Sequence, residues 1–335
     1  LKELLNNIRK TQRILLNLSG LRIGLITHKN ADPDALASIY ALKEFLRARK
    51  NYTYLFFPEG LNSTSKNLLD KLGLDIEYYD TKYGECLNHI IDYYIIVDTS
   101  NSIQLGDLSK FIHNKCIVID HHHPGDLSRK CYFSLVIRTT STSELLYFLL
   151  EKIWYFSRIS ATLLLSGILY DTRRFIYIDK YTFYVVNELI NKYNADYGKA
   201  LEGLHKKMDL SERIARLKGA QRLVLKRYND IIIAITHVSA FEGSVARSLI
   251  ELGADVAFVV SSNNKLRIVG RATKLFVEKT GISLGRDVMP IIAKLISGEG
   301  GGHDTAGVAE GRGSLKQGIR IVEKVLSSLL SNYTK

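Results

Sequence analysis

A chain of 335 residues, 46% hydrophobic and with only 4 Pro, is long for one core and too apolar to be disordered, so it reads as two folded domains. Its net charge of +12 calls for an anionic partner such as nucleic acid, nucleotide or a membrane surface, or else reflects a generally basic, thermophile-like exterior. No apolar run reaches the roughly 18 residues of a membrane helix, and the amphipathic start, interrupted by Lys2, Arg9, Lys10 and Arg13, is not a signal peptide.

After the first helix, residues 21–27 read as a short strand that runs into His28-Lys29-Asn30-Ala31-Asp32-Pro33-Asp34. The spacing of His28, Asp32 and Asp34 lets a loop wrap one ion-sized volume, and Pro33 suits the first turn of a helix reaching about Arg49. An Asp cap with a stray His is the plainer alternative. A strand over 52–57 and a short helix over 67–72 follow. Residues 93–97 make an apolar strand that ends on Asp98, and 116–119 another that ends on Asp120-His121-His122-His123. Such a polar run is too costly to bury without a partner such as a metal. Acid or His at the ends of three strands points to a site at the carboxyl edge of a buried parallel sheet.

Residues 131–137 read as a strand and 143–155 as a helix. The segment 160–170 is apolar enough for a buried helix and leads into Asp171-Thr172-Arg173-Arg174. Asp171 either pairs with a neighbouring Arg or is directed into the site. A helix over 182–192 closes the first domain. The joint, 195–227, reads as helical and carries Lys206, Lys207, Arg213, Arg216, Lys218 and Arg222, a solvated face or an electrostatic wall for a nucleic acid strand. The second domain reads as a strand (231–236), a helix (241–252), strands over 255–260 and 265–272, a helix over about 288–296, a glycine-rich turn over 298–307 and a final helix (314–330). Gly300, Gly301 and Gly302, next to His303 and facing a strand with Arg267 and Arg271, favour a phosphate cradle. Cys86, Cys116 and Cys131 stand at unrelated spacings, so no disulfide framework or CxxC site is expected, and they fit a reducing cytoplasm. His89, His113, His205 and His237 read as structural or surface residues.

Taken in order, His28/Asp32/Asp34, Asp98, Asp120-His121-His122, Asp171 and Gly300-Gly301-Gly302-His303 resemble the motifs of the DHH phosphoesterases that carry a C-terminal DHHA1 domain. That family includes oligoribonuclease/pAp-phosphatase enzymes, cyclic di-AMP phosphodiesterases and RecJ exonucleases. The resemblance implies an α/β protein: a DHH catalytic domain with a mostly parallel sheet flanked by helices (1–194), a helical linker (195–227) and a smaller α/β DHHA1 substrate-binding domain (228–335). It implies two Mn²⁺ ions, with Mg²⁺ as the alternative. His28 and Asp32 would hold one, Asp34, His121 and Asp171 the other, and Asp98 would bridge them. Asp120 would orient His121, and His122 would contact the scissile phosphate. His303, the glycines before it and Arg271 would grip the terminal phosphate or nucleotide. Ala31, Pro33, Ala37, Arg173 and Ala272 depart from the family pattern without removing a ligand, and His123 is an extra imidazole.

The residue chemistry points the same way, because a carboxylate-rich O/N donor set suits Mn²⁺ better than a thiolate-seeking ion. Two such metals activate a water, so no covalent nucleophile is needed, and no serine or cysteine is placed to be one. The implied function is a Mn²⁺-dependent phosphodiesterase that degrades short single-stranded RNA or DNA to mononucleotides. The alternatives are hydrolysis of cyclic di-AMP or pAp, processive RecJ-like digestion of long strands, and a non-catalytic nucleic-acid-binding scaffold. The implied setting is cytoplasmic, with no membrane partner and a homodimer as the assembly to test for.

Overall fold

Five runs of four or five mostly β-branched and aromatic residues make the first sheet: β1 (Arg22–Ile26), β2 (Tyr52–Phe56), β3 (Tyr93–Val97), β4 (Cys116–Asp120) and β5 (Phe133–Val136). They lie in the order β2-β1-β3-β4-β5, every pairing parallel. Parallel strands need covered faces, which is why these runs are apolar throughout rather than alternating. The computed structural model describes residues 2–83, 89–112, 115–205 and 208–331. Cys86, His113, Lys206 and Lys207 lie outside the described residues. The chain divides into two units, Leu1–Lys206 and Lys207–Lys335.

In the first unit, Ile23, Leu25, Ile95, Val97, Ile117 and Ile119 enter the larger core. That core is shared with helices α1 (Lys2–Asn17), α2 (Pro33–Ala48), α3 (Ser63–Leu72), α4 (Thr142–Leu150), α5 (Arg158–Asp171), α6 (Thr182–Asn191) and α7 (Tyr197–Gly203). On the other face Tyr94, Ile96, Cys116 and Val118 pack on Leu105 and Leu108 of a 3₁₀ segment, Ser102–Phe111, and on Leu127 of a single helical turn. β2 lies on one side of β1 and β3 on the other. The carboxyl ends of β1 and β3 therefore border the crevice where the strand order reverses, the usual ligand position in open α/β sheets.

Asp32 caps α2, its Oδ1 accepting from the backbone N–H of Asp34 and Ala35 at 3.0 Å each, and Pro33 opens the first turn. α2 and α5 pack closely enough that a Cβ on Gly167 would lie 2.2 Å from Ser143 Oγ and 2.6 Å from Asp34 Oδ1. Only glycine fits there. The helix expected over 143–155 stops at Leu150, and Trp154 turns in to meet Phe45 edge to face at 5.9 Å.

The second unit holds a six-stranded mixed sheet in the order β10-β11-β9-β8-β7-β6, in which only β7 and β8 run parallel. Its strands are β6 (Val224–Tyr228), β7 (Ile231–His237), β8 (Val256–Ser262), β9 (Leu266–Ala272), β10 (Glu299–His303) and β11 (Ala306–Gly311). Its helices are α8 (Leu210–Gln221), α9 (Glu242–Glu251), α10 (Lys274–Thr280), α11 (Met289–Leu295) and α12 (Leu315–Ser331). α9 covers Ala257 and Val259 on one face, while α11 and α12 cover Phe258, Val260 and Ile268 on the other. The stretch 195–227 divides between the units: α7 packs on α3 and α5, α8 packs on α9, and β6 pairs with β7. The glycine-rich stretch is a strand rather than a turn. A Cβ on Gly300 would meet Met289 O at 2.8 Å and Ala293 Cβ at 2.9 Å, so the glycine lets β10 lie close against α11.

The cysteine expectation is overturned. Cys116 and Cys131 form a disulfide, Cα to Cα 4.8 Å, because the start of β4 and the residues leading into β5 are neighbours in the sheet. Cysteine usage therefore gives no argument for a reducing cytoplasm. Among the described residues no helix is long and apolar enough to cross a membrane.

Replacing Cys131 with Ser should cost about 3 kcal/mol, the loop-closure value for a sequence separation of 15. A denaturation midpoint unmoved by this change or by dithiothreitol would show that the bond is not formed. Gly167→Ala should cost about 1–3 kcal/mol from overpacking, read as a lower denaturation midpoint, because the new methyl group displaces Asp34 and Ser143.

Candidate metal centre

The site assembles at the carboxyl edge of the parallel sheet. β1 leads to His28, the α2 N-terminus supplies Asp32 and Asp34, β3 ends at Asp98, β4 ends at Asp120 and delivers His121 and His122, and α5 ends on Asp171. His28, Asp32 and Asp98 bring a donor atom each within 4.8 Å of one another, as do Asp34, His121 and Asp171, and Asp98, His121 and His122. His28 Nε2 stands 3.4 Å from Asp98 Oδ2 and 3.8 Å from Asp32 Oδ1. His121 Nε2 stands 3.3 Å from Asp171 Oδ2 and 3.6 Å from Asp98 Oδ1. Asp98 is thus within reach of both flanking histidines. A cleft of about 480 Å³ opens over His28, Asp32, Asp98, His122, His123 and Asp171.

Each carboxylate is held by its surroundings. Asp34 is fully buried, and its two oxygens accept from the α4 backbone, Thr142 N at 2.7 Å and Ser143 N at 2.9 Å, where the helix dipole favours negative charge. The Thr142 hydroxyl donates to Asp98 Oδ1 at 2.7 Å. Asp98 itself sits at φ 65°, a left-handed conformation that is costly for a non-glycine residue and is found where structure over-determines it.

The sequence-based expectation that Asp120 orients His121 is not met. Asp120 Oδ1 takes the Nδ1 of His122 at 2.8 Å and the His122 backbone N–H at 3.2 Å. His121 is oriented instead by the Thr139 carbonyl, 3.1 Å from its Nδ1, a partner that no motif along the chain announces. His123 is exposed on the cleft rim. Asp171 is not paired with the adjacent arginines: Arg173 lies over the Tyr177 ring and Arg174 reaches His205. In the second unit Ala306 stands between His303 on β10 and Arg271 on β9 in register, so these two candidate anion ligands share one face of the sheet.

The electrostatics are those of carboxylates short of positive charge. Burial, then repulsion from Asp171, Asp98 and Asp32, holds Asp34 well above the ordinary carboxylate range. Burial and the charges of Asp98 and Asp32 push Asp171 up to about 8. Burial opposes a charge on His28, but its bonds to Asp32 and Asp98 prevail and raise it to about 11. Asp120 raises His122 against the cost of burial.

The donors fit a divalent cation. Buried His121 Nε2 makes no hydrogen bond although two carboxylate oxygens stand within 3.6 Å. With Nδ1 of His28 and of His121 bound to the carbonyls of Lys29 and Thr139, each imidazole turns Nε2 toward the acids, the orientation that metal ligation requires.

The model of the DHH family N-terminal domain matches residues 22–168, which contain all of these candidate donors except Asp171. An uncharacterized protein of Methanocaldococcus jannaschii, MJ0988, is 33% identical over 84% of each chain. The chain belongs to the DHH family of phosphoesterases. A probable bifunctional oligoribonuclease and PAP phosphatase, NrnA, of Streptococcus mutans is 31% identical over 60% of this chain and 64% of its own. An exopolyphosphatase-related protein of Bacteroides fragilis, known as a crystal structure, shares the fold over 98% of both chains, with TM-score 0.61 and 17% identity.

In metal-free protein the raised Asp171 favours folding only while protonated: its contribution is fully present below about pH 4 and lost as pH rises through about 8. Asp171→Asn should therefore gain stability relative to the parent over that interval in EDTA, read as a rising difference in Tm. Mn²⁺ should reverse the order, stabilising the parent by about 2.7 kcal/mol at a hundred times its Kd. Parallel Tm curves with and without Mn²⁺ would sink the shared-cation reading.

Proposed function

We propose that this protein is a Mn²⁺-dependent phosphodiesterase that degrades short single-stranded oligonucleotides to mononucleotides. The observation that carries the reading is the pair of three-residue donor groups, His28/Asp32/Asp98 and Asp34/His121/Asp171, served from both sides by Asp98. In this reading the first group would hold one cation and the second another, with Asp98 contributing to both. Bound there, the cations supply positive charge to the phosphate oxygens and lower the pKa of the attacking water.

The protein's own groups do the rest. The carbonyls of Lys29 and Thr139 fix the two imidazole ligands, and the α4 N-terminus fixes Asp34. Asp120 holds His122 at Nδ1 and favours its protonated form. Nε2–H of His122, on a side chain 57% exposed to the cleft, then donates to a non-bridging oxygen of the scissile phosphate and stabilises the charge that develops there. In the second unit His303, Arg271 and the backbone of Gly300, Gly301 and Gly302 take the substrate's terminal phosphate; the shared face of His303 and Arg271 supports this role. Hydrolysis of pAp is the second reading, supported by the double activity in the name of the Streptococcus relative.

The test is a Mn²⁺ time course on end-labelled RNA and DNA, short and long, with pAp and cyclic di-AMP alongside. Oligomers of a few nucleotides should disappear first, and Asp98→Ala should abolish turnover. Full activity of Asp98→Ala with Mn²⁺ would refute the two-cation assignment, and rapid laddering of long strands would refute the short-substrate preference.

A further inference from the structure

Next to the metal centre lies a feature that the chemistry above does not use. Arg173, Arg174 and Phe175, directly after Asp171 and Thr172, have φ values of 49°, 56° and 69°. Three consecutive non-glycine residues in the left-handed region are unfavourable and persist only where other contacts impose them. The imposing contacts are visible. Arg174 N donates to Leu169 O at 2.7 Å, Phe175 N to Thr172 Oγ1 at 3.0 Å and Tyr177 N to Thr172 O at 3.0 Å, while the Phe175 ring packs on Phe183 at 5.5 Å.

This turn places Ile176, Tyr177 and Ile178 on the surface, 70%, 59% and 42% exposed. They line a groove of about 560 Å³ together with Asp171, Arg138 and Thr139. The Arg173 guanidinium lies over the Tyr177 ring, 5.4 Å from its centroid, so one ring face is backed by a cation and the ring is held for stacking on the other. Arg138 and Thr139 also line a second cavity of about 420 Å³, shared with His121, His122 and His123. Arg138 is exposed, and the two cavities flank it. One leads to the proposed phosphate donor, the other to the aromatic platform.

We propose that this groove is a nucleotide subsite: Tyr177, backed by Arg173 and flanked by Ile176, stacks on a nucleobase next to the scissile phosphate, and Arg138 binds the phosphate that joins it. The proposal deepens the phosphodiesterase reading and rests on it. The Arg138 guanidinium and the Tyr177 ring, itself backed by Arg173, in one groove beside Asp171 favour a nucleotide over a second protein chain as the occupant. Arginine beside an exposed ring is how single-stranded nucleic acid is held without sequence preference. The subsite makes a dinucleotide or longer oligonucleotide a better substrate than any phosphodiester without a base.

The test measures binding in Mn²⁺ of a dinucleotide whose scissile bridging oxygen is replaced by a methylene group, so that affinity is read without turnover. Tyr177→Ala should weaken binding by about tenfold or more, the range of one base stack, Tyr177→Phe should keep it within about twofold, and Arg138→Ala should weaken it and flatten its salt dependence. In parallel, hydrolysis of the same dinucleotide made abasic at the stacked position, a diester with no ring to stack there, should fall far less in Tyr177→Ala than cleavage of the natural dinucleotide. Equal dinucleotide affinity in the parent, Tyr177→Ala and Arg138→Ala would overturn the subsite. So would sedimentation showing that Tyr177→Ala dissociates a dimer while dinucleotide affinity stays unchanged. Failure of the parent to hydrolyse either diester with Mn²⁺ would instead overturn the phosphodiesterase reading, while the affinity measurements still report on the groove.

Discussion

Buried carboxylates repel one another, and in the first unit that repulsion is gathered at one place. Asp34 and Asp98 are almost wholly inaccessible to solvent, Asp32 and Asp171 stand beside them, and the histidines that face them are drawn toward protonation or left without a hydrogen bond. A fold tolerates this only if positive charge enters the site. The arrangement follows from the sheet. Parallel strands end together on one edge, and at the reversal of strand order the ends of β1 and β3 part to leave room.

The scaffold around these acids is stiff for identifiable reasons. α4 points its N-terminus at Asp34, Thr142 joins that helix end to Asp98, and Gly167 lets α5 approach until its backbone nearly touches both Asp34 and Ser143. The same α5 ends on Asp171. One helix contact therefore positions two carboxylates, and the disulfide closes a loop that contains Asp120, His121 and His122. These devices hold the donor atoms of the candidate site close together, as preorganisation of a charged site demands.

The DHH motif has two layers of support. Asp120, the acid of the motif, serves the second histidine rather than the first, and the first takes its orientation from a backbone carbonyl on a separate segment. The two imidazoles are thereby given different roles. His121 turns Nε2 toward Asp171 and Asp98, while His122, held at Nδ1 by Asp120, is exposed on the open cleft. The left-handed turn after Asp171 extends the cleft into a groove edged by arginine and tyrosine.

Read alone, the sequence determined the strands that carry ligands, because long apolar runs that end on Asp or His are unusual and fix both the element and its polar end. It also determined the α2 start at Asp32-Pro33, where cap and proline chemistry act within a few residues, and the identity of the acids and histidines in the site. Tertiary structure decided what depends on distance through space. Cys116 and Cys131 meet only because β4 and β5 are neighbours. The stretch 299–303 is a strand although glycine has little strand preference, because only glycine admits α11 so near. The partner of Asp120 could not be read from adjacency, since both histidines follow it directly and the Thr139 carbonyl that claims His121 lies 18 residues away. Local chemistry is written in neighbouring residues, whereas the pairing of distant groups is set by packing, which no spacing along the chain records.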